Sequence, residues 1–243
     1  MRCPRRLSIG DEEYILREIL PTVGGRDPLR PIREFVENSI DAGASHVRVI
    51  VREDELVVSD DGSGMTREKL YSIPVEIGRS EKRLKQMRTM GEKAIGLLSF
   101  MIFGRELQIV TRSSEEEEPS SIVIRADLTV EPVEPAPPPA FGVGTDVVVR
   151  DLVEDRYLPV LKRRPGSIAK YLAREFYGSL DEVRIVVFKG GTSVEVTRNL
   201  LPMGTLIFQG EFRTEFGRVS VSYTHLRAHE TEADLVCRLL LEK

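Results

Sequence analysis

Two stretches of this chain set oxygen-bearing side chains at spacings that suit phosphate chemistry. In R-E-F-V-E-N-S-I-D-A-G-A, residues 33–44, Glu34 and Asn38 stand four apart. On a helix they project from one face, one turn from each other. In D-D-G-S-G, residues 60–64, Asp60 enters a glycine turn straight after the apolar-polar run Glu55–Ser59. A glutamate on a rigid helix can polarise a water as general base. An asparagine one turn on offers a neutral oxygen to Mg2+, which takes few protein ligands and keeps phosphates and waters. A carboxylate in a pocket accepts a hydrogen bond from the amino group of adenine, and Gly62 and Gly64 let the backbone come close to a ligand. The set suits a nucleotide.

Two later glycine segments extend it. Gly91–Gly96, G-E-K-A-I-G, heads an apolar run. The free N–H groups and dipole of a helix start favour phosphates there, and Lys93 adds a positive charge. This is not a P-loop, because G-x-x-x-x-G-K-[ST] is absent. Gly144 precedes Thr145, whose hydroxyl can reach a base edge directly or through water. Singly, each feature also fits a plainer role: a polar helix face, a polar turn, an entry into a core helix, a strand start.

The elements that must position these residues follow from periodicity and turn residues. Asp11–Leu20 reads as a short amphipathic helix and Pro21–Pro31 as a loop. A helix follows over about Ile32–Ala42, ended by Gly43. Val47–Val51 and Leu56–Ser59 read as strands joined by a polar turn. Thr66–Ser72 is a short helix with Thr66 as its N-cap. Ile77–Met90 is rich in Lys, Arg, Ser and Gln and reads as a mobile loop. Ala94–Phe103 is an apolar helix stopping at Gly104. Strands follow at Glu106–Thr111, Ile122–Ala126 and Thr145–Arg150, with the proline-rich, extended Glu131–Ala140 between the last two. Ser167–Tyr177 is a helix and Val183–Phe188 a buried strand. Neighbouring strands look hairpin-linked, so the fold class is α/β: a mixed β-sheet with helices on one face.

Composition narrows the function. The 243 residues are 41% apolar and 30% charged, as in a folded globular protein. The formal net charge of -4 gives no support for broad electrostatic binding to nucleic acid. The apolar run Ala94–Phe103 is too short for a membrane span, and no apolar signal core follows the basic start, so a cytoplasmic location is expected. The cysteines, Cys3 and Cys237, and the three histidines show no metal-ligand spacing.

In series, the four motifs resemble the GHKL ATPases: gyrase-type topoisomerases, heat-shock chaperones, histidine kinases and MutL-type mismatch-repair proteins. R-E-F-V-E-N-S-I-D-A-G-A and G-T-D-V-V-V-R-D-L are similar to MutL segments, and G-E-K-A-I-G-L-L-S-F shares its glycine and L-x-S spacing with MutL and the chaperones. Asp151–Phe188, a charged linker, a helix and a β-branched strand, resembles the chaperone ATPase domain. The likeness covers about Asp11–Phe188 and implies a two-layer Bergerat-fold sandwich. It implies Glu34 as general base and Asn38 as Mg2+ ligand. Asp60 would bind adenine, with Gly64 and Met65 lining the base and Thr145 assisting. Gly91, Lys93, Ala94, Ile95, Gly96 and Leu97 would hold the phosphates of ATP, with Ile77–Met90 as a lid. Two positions depart from the family: Ala94 stands where it often has glycine, and the MutL lid's T-S-K appears here only as R-S-E-K, with Lys82 as the candidate γ-phosphate contact. The family further implies a nucleotide state that gates a homodimer or a downstream domain. Client or DNA contacts would lie in missing regions, and no membrane contact is expected. A nucleotide-binding module that hydrolyses nothing is the alternative.

The end changes character. Val221–Lys243 resembles the translation of a sequencing adapter joined to a truncated frame. The expected division is an ATP-binding domain over 1–198, the start of a truncated segment over 199–220 and a non-native tail over 221–243.

Overall fold

The computed structural model describes residues 27–77 and 96–201, and the backbone of 205–214 and 217–225. The expected helix Asp11–Leu20, most of the expected lid, and Lys82, Gly91, Lys93, Ala94 and Ile95 lie outside the described residues. The chain divides into two compact units, Met1–Leu200 and Leu201–Lys243.

Helix α1 spans Arg30–Asp41. Pro31 sits in its first turn, where the missing N–H costs nothing. Just before it, the Leu29 N–H donates to the Asp27 carboxylate. Ile32, Phe35, Val36 and Ser39 form the buried stripe at helical spacing. Glu34 and Asn38 flank that stripe. Strand β1 (His46–Val51) buries Val47, Val49 and Val51, and β2 (Leu56–Asp60) is buried throughout.

Helix α2 runs over Arg67–Ile77, longer than the expected Thr66–Ser72. The Thr66 hydroxyl accepts from the Lys69 N–H, as an N-cap does. Buried Leu70 and Ile73 carry the helix on past Pro74, whose ring lacks the N–H for one rung. The apolar helix expected over Ala94–Phe103 is different: Gly96 and Leu97 are helical, then Leu98–Ile102 tighten into a 3-10 turn. The steeper rise of that turn delivers the chain directly into β3 (Gly104–Arg112) and buries Leu98, Ser99, Phe100 and Phe103 within one short segment.

Strands β4 (Ser120–Arg125), β5 (Val130–Pro132) and β6 (Gly144–Leu152) follow. Helix α3 (Glu154–Leu161) occupies what reads as a charged linker. Its acids Glu154 and Asp155 suit a helix start, while Tyr157 and Val160 bury one face. Helix α4 (Pro165–Glu175) and β7 (Arg184–Lys189) are close to expectation. Strand β8 (Thr192–Glu195) returns through the Gly190–Gly191 turn.

The eight strands lie in the order β5-β4-β3-β6-β2-β1-β7-β8. β1 and β7 pair in parallel, and the other pairs are antiparallel. The register puts Val47, Val58, Asp60, Thr145, Val147, Ile109 and Thr111 on one face. Helix α1 packs on β1 and β2, α2 on β4, and α4 on β7 and β8. The result is a two-layer α/β sandwich, a mixed sheet with its helices on one side. The other side carries a polar row in which Arg150 reaches Glu55 and Gln108, and Gln108 reaches Ser121.

In the second unit, β9 (Thr205–Thr214) and β10 (Gly217–His225) form an antiparallel hairpin with an irregularity at Tyr223/Thr224. Strand β10 crosses the boundary expected at residue 221, so Val221–His225 pair with β9.

Candidate functional site

Asp60 ends β2 and is 4% exposed. Its Oδ2 accepts from the Ser39 hydroxyl of α1 at 2.9 Å, and its Oδ1 accepts from the Gly62 N–H at 2.9 Å. Burial pushes its carboxyl above the ordinary range, and the charge of Asp146 adds to that. The N–H groups of Gly62 and Thr145 and the Ser39 hydroxyl pull the other way. Asp61, one residue on, does the opposite work. Its Oδ1 accepts from the backbone N–H groups of Ser45 and His46, and its Oδ2 lies 2.7 Å from His46 Nδ1. Burial opposes ionisation there too, but the bonds from His46 and Ser45 hold the carboxyl below its usual range. Of the two acids, Asp61 pins the start of β1, while Asp60 is buried at the end of β2 against Ser39 and Gly62.

The turn after Asp60 needs glycine for steric reasons. Gly64 has φ +63°, and a Cβ there would lie 2.1 Å from the Arg112 carbonyl oxygen. Opposite, Gly144 has φ +123°, and its Cβ would lie 2.0 Å from the Asp60 carbonyl oxygen. L side chains rarely adopt either conformation. The backbone of the turn, β3 and β6 therefore come together with no side chain between them. Thr111 of β3, fully buried, ties the same three segments: its Oγ1 accepts from the Met65 N–H at 2.9 Å and donates to the Gly144 carbonyl at 3.0 Å. It also lies 3.0 Å from the Thr145 hydroxyl.

Glu34 extends from α1 toward the start of the 3-10 segment. A Cβ added to Gly96 would lie 2.7 Å from Glu34 Oε2, so the absence of a side chain at Gly96 makes room for this carboxylate. The other oxygen, Oε1, is held by Arg33 Nη2 at 2.6 Å and Arg30 Nε at 3.5 Å. Arg33 also lies 3.8 Å from Glu175 of α4. Asn38 is half-buried, and its side-chain amide has no hydrogen-bond partner among the described residues, which leaves its oxygen available to a cation. Among the described residues no group of three or more His, Cys, Asp or Glu comes together to hold a metal ion. A hard ion bound here would need phosphate and water oxygens besides Asn38, as Mg2+ prefers.

The structure thus brings Asp60, Gly64, Met65 and Thr145 to one end of β2 and β6, and Glu34 to Gly96, with Leu97 next in the chain. Ser39, Thr111 and Arg33 were not singled out from sequence. Ser39 had a signal, since it follows Asn38 one residue later and falls on the buried stripe. Thr111 had a weaker one: it is the polar member of the alternation Leu107, Ile109, Thr111 on a buried face. A separate surface cleft of about 500 Å3 lies by Ser45, Asp181 and Arg184. Ion pairs already engage its arginines, Arg184 with Glu195 and Arg198 with Asp181, and none of the predicted site residues line it.

Residues 29–134 match the family model described as histidine kinase-, DNA gyrase B- and HSP90-like ATPase. This part of the chain is similar to GHKL-class ATPase domains. Its similar relatives are of the MutL type. The DNA mismatch repair protein MutL of Azorhizobium caulinodans is 34% identical over 132 residues, 51% of this chain and 20% of that protein. MutL of Thermotoga maritima is 30% identical over 174 residues, 68% of this chain and 33% of that protein. The match therefore spans a fifth to a third of these relatives' lengths. A solved structure, the Aquifex aeolicus MutL ATPase domain complexed with ADP, aligns at 22% identity with a TM-score of 0.43. It covers 71% of this chain and 64% of that one. Among the described residues no helix is long and apolar enough to cross a membrane.

Proposed function

We propose that this domain binds ATP with Mg2+, hydrolyses it slowly, and uses its nucleotide state to gate dimerisation or a downstream domain. One observation carries the reading: Glu34 Oε2 lies against Gly96, the last glycine of the segment assigned to the phosphates, while the buried acceptor Asp60 lies at the end of β2. Asp60 takes the adenine amino group, Gly64 and Met65 line the base, and Thr145 assists. Gly91, Lys93, Ala94, Ile95, Gly96 and Leu97 hold the phosphates, and Lys82 reaches the γ-phosphate. Asn38 is the side chain that holds Mg2+, which neutralises phosphate charge when bound. Glu34 accepts a proton from the attacking water as the water oxygen bonds to the γ-phosphorus. The bond from that phosphorus to the β–γ bridging oxygen breaks, leaving ADP and phosphate.

The second reading is a nucleotide-binding switch without hydrolysis. The engagement of Glu34 by two arginines favours it, because a carboxylate oxygen already taken up by ion pairs has less lone-pair capacity to hold an attacking water. Glu34→Gln separates the two. Under the first reading ATP affinity stays within about twofold and turnover falls by about a hundredfold or more, the scale of losing a general base. Turnover at the parent rate would remove Glu34 as the base. The names of the relatives, DNA mismatch repair proteins, support a mismatch-repair setting for this protein.

A further inference from the structure

The hydroxyl protons around Thr111 can be assigned by elimination. A threonine hydroxyl has one proton and two lone pairs. Thr111 Oγ1 meets three partners. The Met65 N–H can only donate, at 2.9 Å, and the Gly144 carbonyl can only accept, at 3.0 Å. The single Thr111 proton is therefore committed to Gly144. The third contact, 3.0 Å to Thr145 Oγ1, is then satisfied only if Thr145 donates to Thr111. With its proton turned inward, Thr145 presents only lone pairs to the pocket. Thr145 pairs directly across from Asp60 on the same face of the sheet.

We infer that Thr111 is a specificity-determining positioning residue: by taking the Thr145 proton it makes Thr145 an acceptor beside the acceptor Asp60. Two neighbouring acceptors match the two protons of a purine 6-amino group and repel a 6-oxo group. The inference rests on the adenine-site reading above. It adds that discrimination between ATP and a 6-oxo purine nucleotide is enforced by a buried residue that does not itself face the base. Unpaired or opposed polar groups of this kind separate substrates far better than a difference in size. Without the Thr111 acceptor, Thr145 can rotate and donate to a 6-oxo oxygen, and the rejection weakens.

The test compares Mg·ATP and Mg·ITP, which differ only at the 6-position and its neighbouring ring nitrogen, by calorimetry on the full chain. The parent is expected to prefer ATP. Thr111→Val, of nearly the same shape, is expected to cut the ATP:ITP affinity ratio about tenfold, mainly by improving ITP. Thr111→Ser, which keeps the hydroxyl, should hold the ratio within about twofold. Thr145→Val covers the case in which Thr111→Val fails to fold. A locked acceptor contributes to rejection, so its loss should also lower the ratio, whereas a freely rotating hydroxyl would weaken both nucleotides alike. An unchanged ratio in both valine variants, with ATP still bound by the parent, would overturn the inference and leave the site reading standing. A parent that binds neither nucleotide would overturn both.

Discussion

At the scale of single residues, the adjacent acids Asp60 and Asp61 make a sharp contrast. Asp60 is buried and its carboxyl is raised above the ordinary 3.8, so ionisation is easier in the unfolded chain than in the folded one. The stability this group contributes is fully present below its unfolded pKa and is lost as pH rises through its raised folded value. Asp60→Asn should therefore raise the melting temperature of the nucleotide-free protein at neutral pH, and the gain should vanish in acid near pH 3.8. The amide fits: its oxygen can still accept from Gly62, while its NH2 can donate to Ser39, freeing that hydroxyl for the Phe35 carbonyl at 3.1 Å. The same change should weaken ATP binding, because a donor would face the base's amino group. Asp61 has a lowered carboxyl, so its contribution is present above the unfolded pKa and lost as pH falls through the folded value. Asp61→Asn should lower the neutral-pH melting temperature and leave ATP affinity nearly unchanged. Melting curves of both variants between pH 3 and 8 check the pair, and shifts of the same sign would refute the division of labour. Glu34, Asn38, Asp60 and Thr145 could be proposed from the sequence because the chemistry of a nucleotide site demands particular side chains at particular spacings. Thr111 was not, because its role depends on which carbonyl and which amide the folded backbone brings to it.

At the scale of elements, legibility followed periodicity. Helix α1 and strands β1 and β2 were readable because burial alternates at 3.6 and 2 residues with clear glycine and polar breaks. Helix α3 was hidden by its charges and by Pro159, which leave only Tyr157 and Val160 to mark its buried face. The segment after Gly96 was misread because four buried residues close together suit an all-round buried helix as well as a 3-10 turn; the distance left before β3 decides between them. Glycines show the same dependence on context. Gly64→Ala adds a left-handed backbone cost of about 1–2 kcal/mol to a Cβ placed 2.1 Å from a carbonyl oxygen that cannot move aside cheaply. It should destabilise the fold by more than about 2 kcal/mol in urea denaturation, with ATP binding lost in proportion. Gly166, in the first turn of α4, has nothing within 4 Å of an added Cβ and no positive φ. Gly166→Ala should be neutral or stabilising by up to about 1 kcal/mol. Equal effects at the two sites would show that the turn after β2 is looser than its geometry implies.

At the scale of the whole molecule, what the chain can do alone depends on where its core ends. Every strand of the eight-stranded sheet lies before residue 200, and the last core residue along the chain among those described is Val196. The proposed nucleotide residues all lie at or before Thr145. The second unit's hairpin has its own register, from Gly217 against Thr214 to His225 against Thr205. A two-stranded hairpin is only marginally stable in water by itself. Removing 201–243 is therefore expected to leave the melting temperature and ATP affinity of the first unit within a few degrees and about twofold of the parent. The cut belongs at 200/201 and not at 220/221, because truncation after Ser220 would strip the paired residues Val221–His225 from β10 and leave most of β9 as an unpaired edge. Such edges promote association between chains. The 1–220 fragment should accordingly aggregate more readily than 1–200, a difference that light scattering during heating would register. If 1–200 instead lost several kcal/mol, the second unit would be contributing buried apolar surface at about 25 cal/mol per Å2. In that case the tail could not be treated as foreign to the fold.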